Sequence, residues 1–214
     1  MLTPHTSTLS TIAHAFRVLT IKRAYLLCLF MVATLVPIQA QQQGSWQAFL
    51  AYYDVTRIVE GGGRVWVLAS GNVMSYDVNT GESTTYSKGS PLSDASIADI
   101  NFNATVRALL VLYSNGNIDI LHTDGSVVNV PDYYNKAMTE DKTVTNIVMA
   151  GRHAYLTTMF GIIKLNMARG EIDDTYNMGT QVNDVLVEGN TLYAATVKGL
   201  YRGIIPSNRT QHSA

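Results

Sequence analysis

Short apolar runs alternate with polar turns at a near-constant period along this chain. Each period opens on a pair of form V/I-x-x-V/I: Val55/Ile58, Ile97/Ile100, Val144/Ile147 and Val182/Val185. A second apolar run follows at 65–69, 109–113, 154–158 and 192–195, and a third at 73–76, 118–121, 162–165 and 200–201. Gly71, Gly116, Gly161 and Gly199 stand between the second and third runs, spaced 45, 45 and 38 residues. Gly81, Gly125 and Gly170 follow the third run, spaced 44 and 45. Val, Ile, Thr and Tyr dominate the runs, and such residues fit a pleated, half-buried surface. In 65–69 the residues are apolar on both faces, as strands packed between two layers must be.

A repeat of about 40–45 residues built from several short strands is the mark of a propeller blade. The fold expected is all-β: a partial β-propeller over 41–203, with three full blades and part of a fourth. The blades fall at about 55–86, 97–130, 144–176 and 182–202, and an irregular tail at 204–214. The V/I-x-x-V/I strand should be innermost in each blade. One helical turn fits between Tyr133 and Lys142. Closure of a propeller takes about 4–8 blades, so the missing blades are expected to be encoded downstream. The strand-like segment 46–50, with Trp46 and Phe49 to bury, is expected to complete one of them.

Residues 1–40 do not share the pattern. Arg17, Lys22 and Arg23 precede an apolar stretch at 24–38, and Gln39-Ala40 offers a small residue for cleavage. That order of basic, apolar and small residues is a secretory signal, so the protein is expected to be exported, to the periplasm or the outer-membrane surface. The apolar stretch is shorter than the ~20 residues a membrane span needs. Cys28 is the only cysteine and lies inside it. The exported part therefore has no disulfide or thiol chemistry. It keeps 12 basic and 16 acidic residues, a net charge of −4. With no basic cluster either, nucleic acid is excluded as a partner.

Catalytic motifs are missing from the sequence. There is no H-E-x-x-H, G-x-S-x-G or phosphate-binding G-x-x-x-x-G-K-[ST] pattern. No paired histidines suggest a metal, and no cofactor is expected. His122 and His153 sit at strand ends, where a lone histidine reads as a surface residue. Asp173-Asp174 reads as a solvated acidic pair. The 77–82 segment has the turn glycine where a calcium loop would need an acid or amide, so it reads as a hairpin. Asn103-Ala104-Thr105 and Asn208-Arg209-Thr210 match the N-glycan sequon.

Two sets of residues remain as candidate contacts. Arg57, Asp99, Asn146 and Asp184 occupy one equivalent place, directly before the second apolar residue of each first strand. Neighbours along a strand point to opposite faces. If Ile58, Ile100, Ile147 and Val185 pack between blades, the polar four line the inner rim, pairing with one another or with backbone. Tyr52, Tyr53, Tyr133 and Tyr134 fall outside the repeated strands, and a tyrosine ring with its polar tip suits contact with sugar or protein.

Pro91-Leu92-Ser93-Asp94 leading to Ile97-Ala98-Asp99-Ile100, then Gly161-Ile162-Ile163 and Gly199-Leu200-Tyr201, resemble the propeller repeats of two-component regulators. The string 46–53 (WQAFLAYY), Tyr86-Ser87-Lys88 before Leu92-Ser93-Asp94, and the string 113–119 (YSNGNID) resemble more closely the PorZ-like N-terminal propellers of the type IX secretion system. This resemblance covers residues 41 to about 203. It implies a non-enzymatic component of a cell-surface attachment complex, acting as scaffold or binding module. The partners it implies are a sortase-like protease and anionic lipopolysaccharide. The second reading is a periplasmic sensor propeller of a hybrid two-component regulator, which uses similar blades.

Overall fold

The computed structural model describes residues 53–206. The leader, Tyr52, the segment 46–50 and the tail from 207 onward lie outside the described residues. The four apolar periods form four antiparallel sheets. Sheet one holds β1 (Val55–Gly61), β2 (Arg64–Ala69), β3 (Asn72–Asp77) and β4 (Ser83–Lys88), with the two-residue β5 (Pro91–Leu92) parallel to β4. Sheet two holds β6 (Ile97–Asn103), β7 (Ala108–Tyr113), β8 (Ile118–His122) and β9 (Val127–Val130). Sheet three holds β10 (Val144–Ala150), β11 (His153–Thr158), β12 (Gly161–Asn166) and β13 (Glu171–Asn177). Sheet four holds β14 (Val182–Glu188), β15 (Thr191–Thr196) and β16 (Gly199–Ile204). A single helical turn, α1 (Asp132–Asn135), lies in the connector between β9 and β10.

Strand order within every sheet follows chain order. Between sheets, the first strands are neighbours: β1 meets β6, β6 meets β10, and β10 meets β14. The V/I-x-x-V/I strand is therefore innermost, and the molecule is a partial β-propeller. Strand β16 runs to Ile204 and Ile205 is buried, so the ordered part of sheet four extends past residue 202.

Side chains of facing sheets form the core. Trp66, Leu68 and Val73 meet Ile100, Leu109 and Val111 between sheets one and two. Leu110, Ile118 and Ile120 meet Ile147, Leu156 and Ile163 between two and three. Tyr155 and Ile162 meet Val185, Leu192 and Ala194 between three and four. The alternation along β2 explains its apolarity on both faces: Trp66 and Leu68 point to sheet two, while Val67 and Ala69 pack with Met74 on the other side. One position departs from the expected equivalence. Ile100, Ile147 and Val185 are 0%, 3% and 5% exposed, but Ile58 is 63% exposed. Each of the first three packs on the preceding sheet; Ile58 has no preceding sheet among the described residues.

The recurring glycines are not one device. Gly71 and Gly116 have φ of 72° and 86° and turn the chain between second and third strands. Gly161 is already the first residue of β12, and its requirement is space: a Cβ there would meet the Tyr176 carbonyl oxygen at 2.0 Å. The turn before it is made by Met159 and Phe160, with the Thr158 hydroxyl accepting from the backbone N–H of Phe160 and Gly161.

Candidate interaction surface at the inner rim

In each sheet the first strand enters through the same irregularity. The register of its pairing with the second strand shifts between Val55 and Arg57, Ile97 and Asp99, Val144 and Asn146, and Val182 and Asp184. Such a bulge re-aims the residue that follows it. In three sheets that residue also caps the next backbone N–H: Oδ1 of Asp99, Asn146 and Asp184 accepts from Ile100, Ile147 and Val185 at 2.8, 2.8 and 2.9 Å. A short polar side chain is the type that makes this local bond.

The bulges bring the polar four together in two pairs. Arg57 donates through Nε and Nη2 to the two oxygens of Asp99, at 2.7 and 2.5 Å. This bidentate bond raises the Arg57 pKa from its ordinary range. Asn146 Nδ2 donates to Asp184 Oδ1 at 3.0 Å. No direct bond joins Asp99 to Asn146 among the described residues; there, Asn101 Nδ2 donates to the Ile147 carbonyl instead, at 2.8 Å. The rim is thus a chain of cross-sheet polar contacts, half open to solvent.

The same end of the molecule carries the turns between second and third strands. Backbone bonds from Ser70 to Asp54, Ser114 to Ser96 and Val197 to Gln181 tie the turns of sheets one, two and four to the residues entering the first strand. Together with the connectors between sheets, these form one upper face. Tyr53, 76% exposed, stands at its edge on sheet one, and Tyr134, 48% exposed, on α1. Tyr133 is a correction to the sequence reading. It is 1% exposed, with its hydroxyl donating to the Lys142 carbonyl at 2.9 Å and the Lys142 ammonium 5.8 Å from its ring centre. A helical turn presents adjacent residues in different directions, so the pair Tyr133-Tyr134 splits into one anchor and one exposed ring.

Two polar groups, His153 and Asp173, were misread from sequence. His153 is half-buried and its Nε2 lies 2.8 Å from Asp173 Oδ2. Asp173 also pairs with Arg169, at 2.5 Å, so it is no solvated acid. Burial, the largest influence, holds the His153 pKa below its ordinary 6.5 despite that carboxylate. Burial alone would raise Asp173; the bonds from His153 and Arg169 together outweigh it and leave its pKa lowered. The pair lies at the lower end of sheet three, away from the rim, and no hydroxyl or thiol bonds the imidazole among the described residues. The only sequence signal was one acid at the third position of an outer strand. Asn103 is 1% exposed and its Oδ1 accepts from Thr105 and Val106, so it is a turn residue and no glycan acceptor. At 77–82, Asp77 Oδ1 accepts from the backbone of Asn79 and Thr80, which makes the expected hairpin turn.

The string 113–119 forms a polar knot. Tyr113 donates to Asp119 Oδ2 at 2.5 Å, the Ser93 N–H donates to the same oxygen at 2.8 Å, and Asn129 donates to Oδ1 at 2.8 Å. Asp119 is fully buried. Asn115 donates to Asp94 at 2.6 Å and Ser114 to the Ser96 carbonyl at 2.9 Å. Sheet two is thereby tied to the Leu92-Ser93-Asp94 connector.

Comparison with known proteins places these features. Residues 65–213 match the N-terminal β-propeller domain of PorZ of the type IX secretion system. The chain belongs to this PorZ propeller family. Among solved structures it is similar to PorZ of Porphyromonas gingivalis, an essential bacterial surface component of the type IX secretion system, with 31% identity and a TM-score of 0.68. The match covers 79% of this chain and 23% of that one, so the chain spans about a quarter of the PorZ length. Two further likenesses show the fold alone. The extracellular domain of a hybrid two-component system from B. thetaiotaomicron is 17% identical, with a TM-score of 0.58 and coverage of 78% of this chain and 23% of that one. BamB of Moraxella catarrhalis is 19% identical, with a TM-score of 0.54 and coverage of 76% and 48%. No curated protein matches the chain.

Proposed function

We propose that this chain is the propeller portion of an exported, non-enzymatic surface component of the type IX secretion machinery, in which it acts as a scaffold or contact module. The observation that carries this reading is the PorZ family match over residues 65–213, together with 31% identity to PorZ. In this reading the upper face meets the rest of the attachment complex. Arg57, Asp99, Asn146 and Asp184 supply polar groups at the rim, and Tyr53 and Tyr134 supply exposed rings. The partners are a sortase-like protease and anionic lipopolysaccharide. The sensor reading has only fold similarity behind it, at 17% identity.

The test is genetic. Deleting the gene in its host should leave type IX cargo unattached at the cell surface, and the full-length gene should restore attachment. Normal cargo attachment in the deletion strain would overturn the proposal. A photo-crosslinking residue at position 53 or 134 should then capture a component of the attachment complex.

A further inference from the structure

We infer that two copies of this chain join the open ends of their four-sheet arcs, sheet four of each against sheet one of the other, and so close a single ring. The inference goes beyond the secretion reading and does not depend on it, because it rests on the two end faces alone. Within the molecule one contact recurs between successive sheets. Val73 and Ile100 share one core cluster, Ile118 and Ile147 the next, and Ile162 and Val185 the third. Each pair joins a residue near the start of a third strand to the second apolar residue of the following first strand. Leu200 and Ile58 hold these two places at the ends of the arc, and each lacks the other half of the contact. They are 74% and 63% exposed, so sheets four and one of a single chain do not cover each other.

The end faces match in shape and in charge. A hollow of about 290 Å³ on sheet four is lined by Leu186, Tyr193, Ala195 and Leu200 and by the carboxylates Asp184 and Glu188. On sheet three, Val148, Tyr155 and Ile162 hold the places of Leu186, Tyr193 and Leu200, and they pack against sheet four. Sheet one offers the complementary half. Ile58 stands where Ile100, Ile147 and Val185 are buried, and Val55, 47% exposed, stands where Ile97 and Val182 are buried. At the rim, Asp184 Oδ1 accepts from Asn146 and Val185, while Oδ2 makes no hydrogen bond among the described residues. Arg57 uses Nε and Nη2 on Asp99 and leaves Nη1 without a partner there. The next rim position after Asp184 is Arg57 of the second copy, so a free carboxylate oxygen faces a free guanidinium N–H. Sheet four against a second sheet four would instead gather the Asp184 and Glu188 carboxylates of both copies, and like charges across an interface disfavour that pairing.

The sheet number selects two copies. A propeller closes with about 4–8 blades. Each chain brings four sheets, so two copies reach the top of that range and a third exceeds it. The contact of sheet four on sheet one is then made twice about a two-fold axis. No end face is left over, whereas the same contact without closure would add copies into a filament. Whatever completes the arc must bring a first-strand face like that of β1 to Leu200, and a third-strand face like that of β16 to Ile58. The chain itself carries both.

The test expresses the full 214-residue gene with its leader and weighs the exported product by light scattering coupled to size exclusion. The mass should be that of two chains and should not grow at higher concentration. Cys28, in the leader, is the only native cysteine, so engineered thiols report the contact directly. Under mild oxidation, Ile58→Cys chains mixed with Leu200→Cys chains should link about tenfold faster or more than either variant alone, because the contact raises the local concentration of the two thiols. Ile58→Glu should weaken the association by about tenfold or more, with the strand content retained by circular dichroism. The inference fails if the product stays monomeric at high concentration, if it grows beyond two chains, or if Leu200→Cys chains link to one another as fast as to Ile58→Cys chains.

Discussion

At the scale of single residues, buried polar groups fix this molecule more than its rim does. Asp119 takes three hydrogen bonds at zero exposure, and one of them comes from the Tyr113 hydroxyl. Removing one partner of a buried acceptor costs about 1–3 kcal/mol. Tyr113→Phe should therefore lower stability by that amount in denaturant melts, whereas Arg57→Ala, which breaks a half-exposed ion pair, should cost about 1 kcal/mol or less. Equal losses would contradict the ranking. A pH dependence comes from the His153–Asp173 pair. Both groups have lowered pKa values. A group whose folded pKa is lowered binds fewer protons folded than unfolded, so stability falls as protons are added. Its contribution is complete above the unfolded value and is lost as pH falls through the folded one. Melting temperature should drop on acidification below about pH 6.5, the unfolded histidine value, and drop again in the carboxylate range. His153→Gln should remove the first drop and keep the second. A first drop unchanged in that variant would assign it elsewhere.

At the scale of elements, the repeat was legible because every sheet buries the same strands. Period and turn glycines suffice to read that, since an alternating apolar run between two layers can only be a strand. The innermost place of β1, β6, β10 and β14 was legible for the same reason. The bulges were not: no residue type marks the register shift at Arg57, Asp99, Asn146 and Asp184, and only its polar consequence shows in the sequence. Hydrogen-bond partners across strands, such as His153 and Asp173, depend on register and escaped notice. The glycines were read as equivalent turns, yet geometry separates them. At Gly71 nothing lies within 4 Å of an added Cβ, so Gly71→Ala costs only the strain of a φ of 72°, about 1–2 kcal/mol. At Gly161 the added carbon would overlap a backbone oxygen at 2.0 Å, and β13 would have to move away from β12. Gly161→Ala should therefore destabilise more than Gly71→Ala, by about 3 kcal/mol or more in total, at or above the top of the range for overpacked cores. Thermal melts of the two variants compare them directly.

At the scale of the whole molecule, the outer face of sheet four differs from its three counterparts. Leu200, near the start of β16, holds the place of Val73, Ile118 and Ile162 in the other third strands. Those three are each 0% exposed because the next sheet covers them; Leu200 is 74% exposed. Leu186 and Ile204 share its face and are 61% and 64% exposed. Burying a leucine side chain gains about 1.5–3 kcal/mol, so this face favours any surface that can cover it. An uncovered edge strand adds free backbone groups to the attraction, and β16 is exposed along all its length. The 214-residue chain should therefore associate in a concentration-dependent way, measurable by light scattering coupled to size exclusion. Leu200→Glu with Leu186→Lys should shift it toward monomer. The melting temperature should stay nearly constant, because neither side chain is buried in the monomer. A chain that is monomeric at high concentration without these substitutions would show that the face is covered by residues outside 53–206, and association that survives the double substitution would place the contact on another surface.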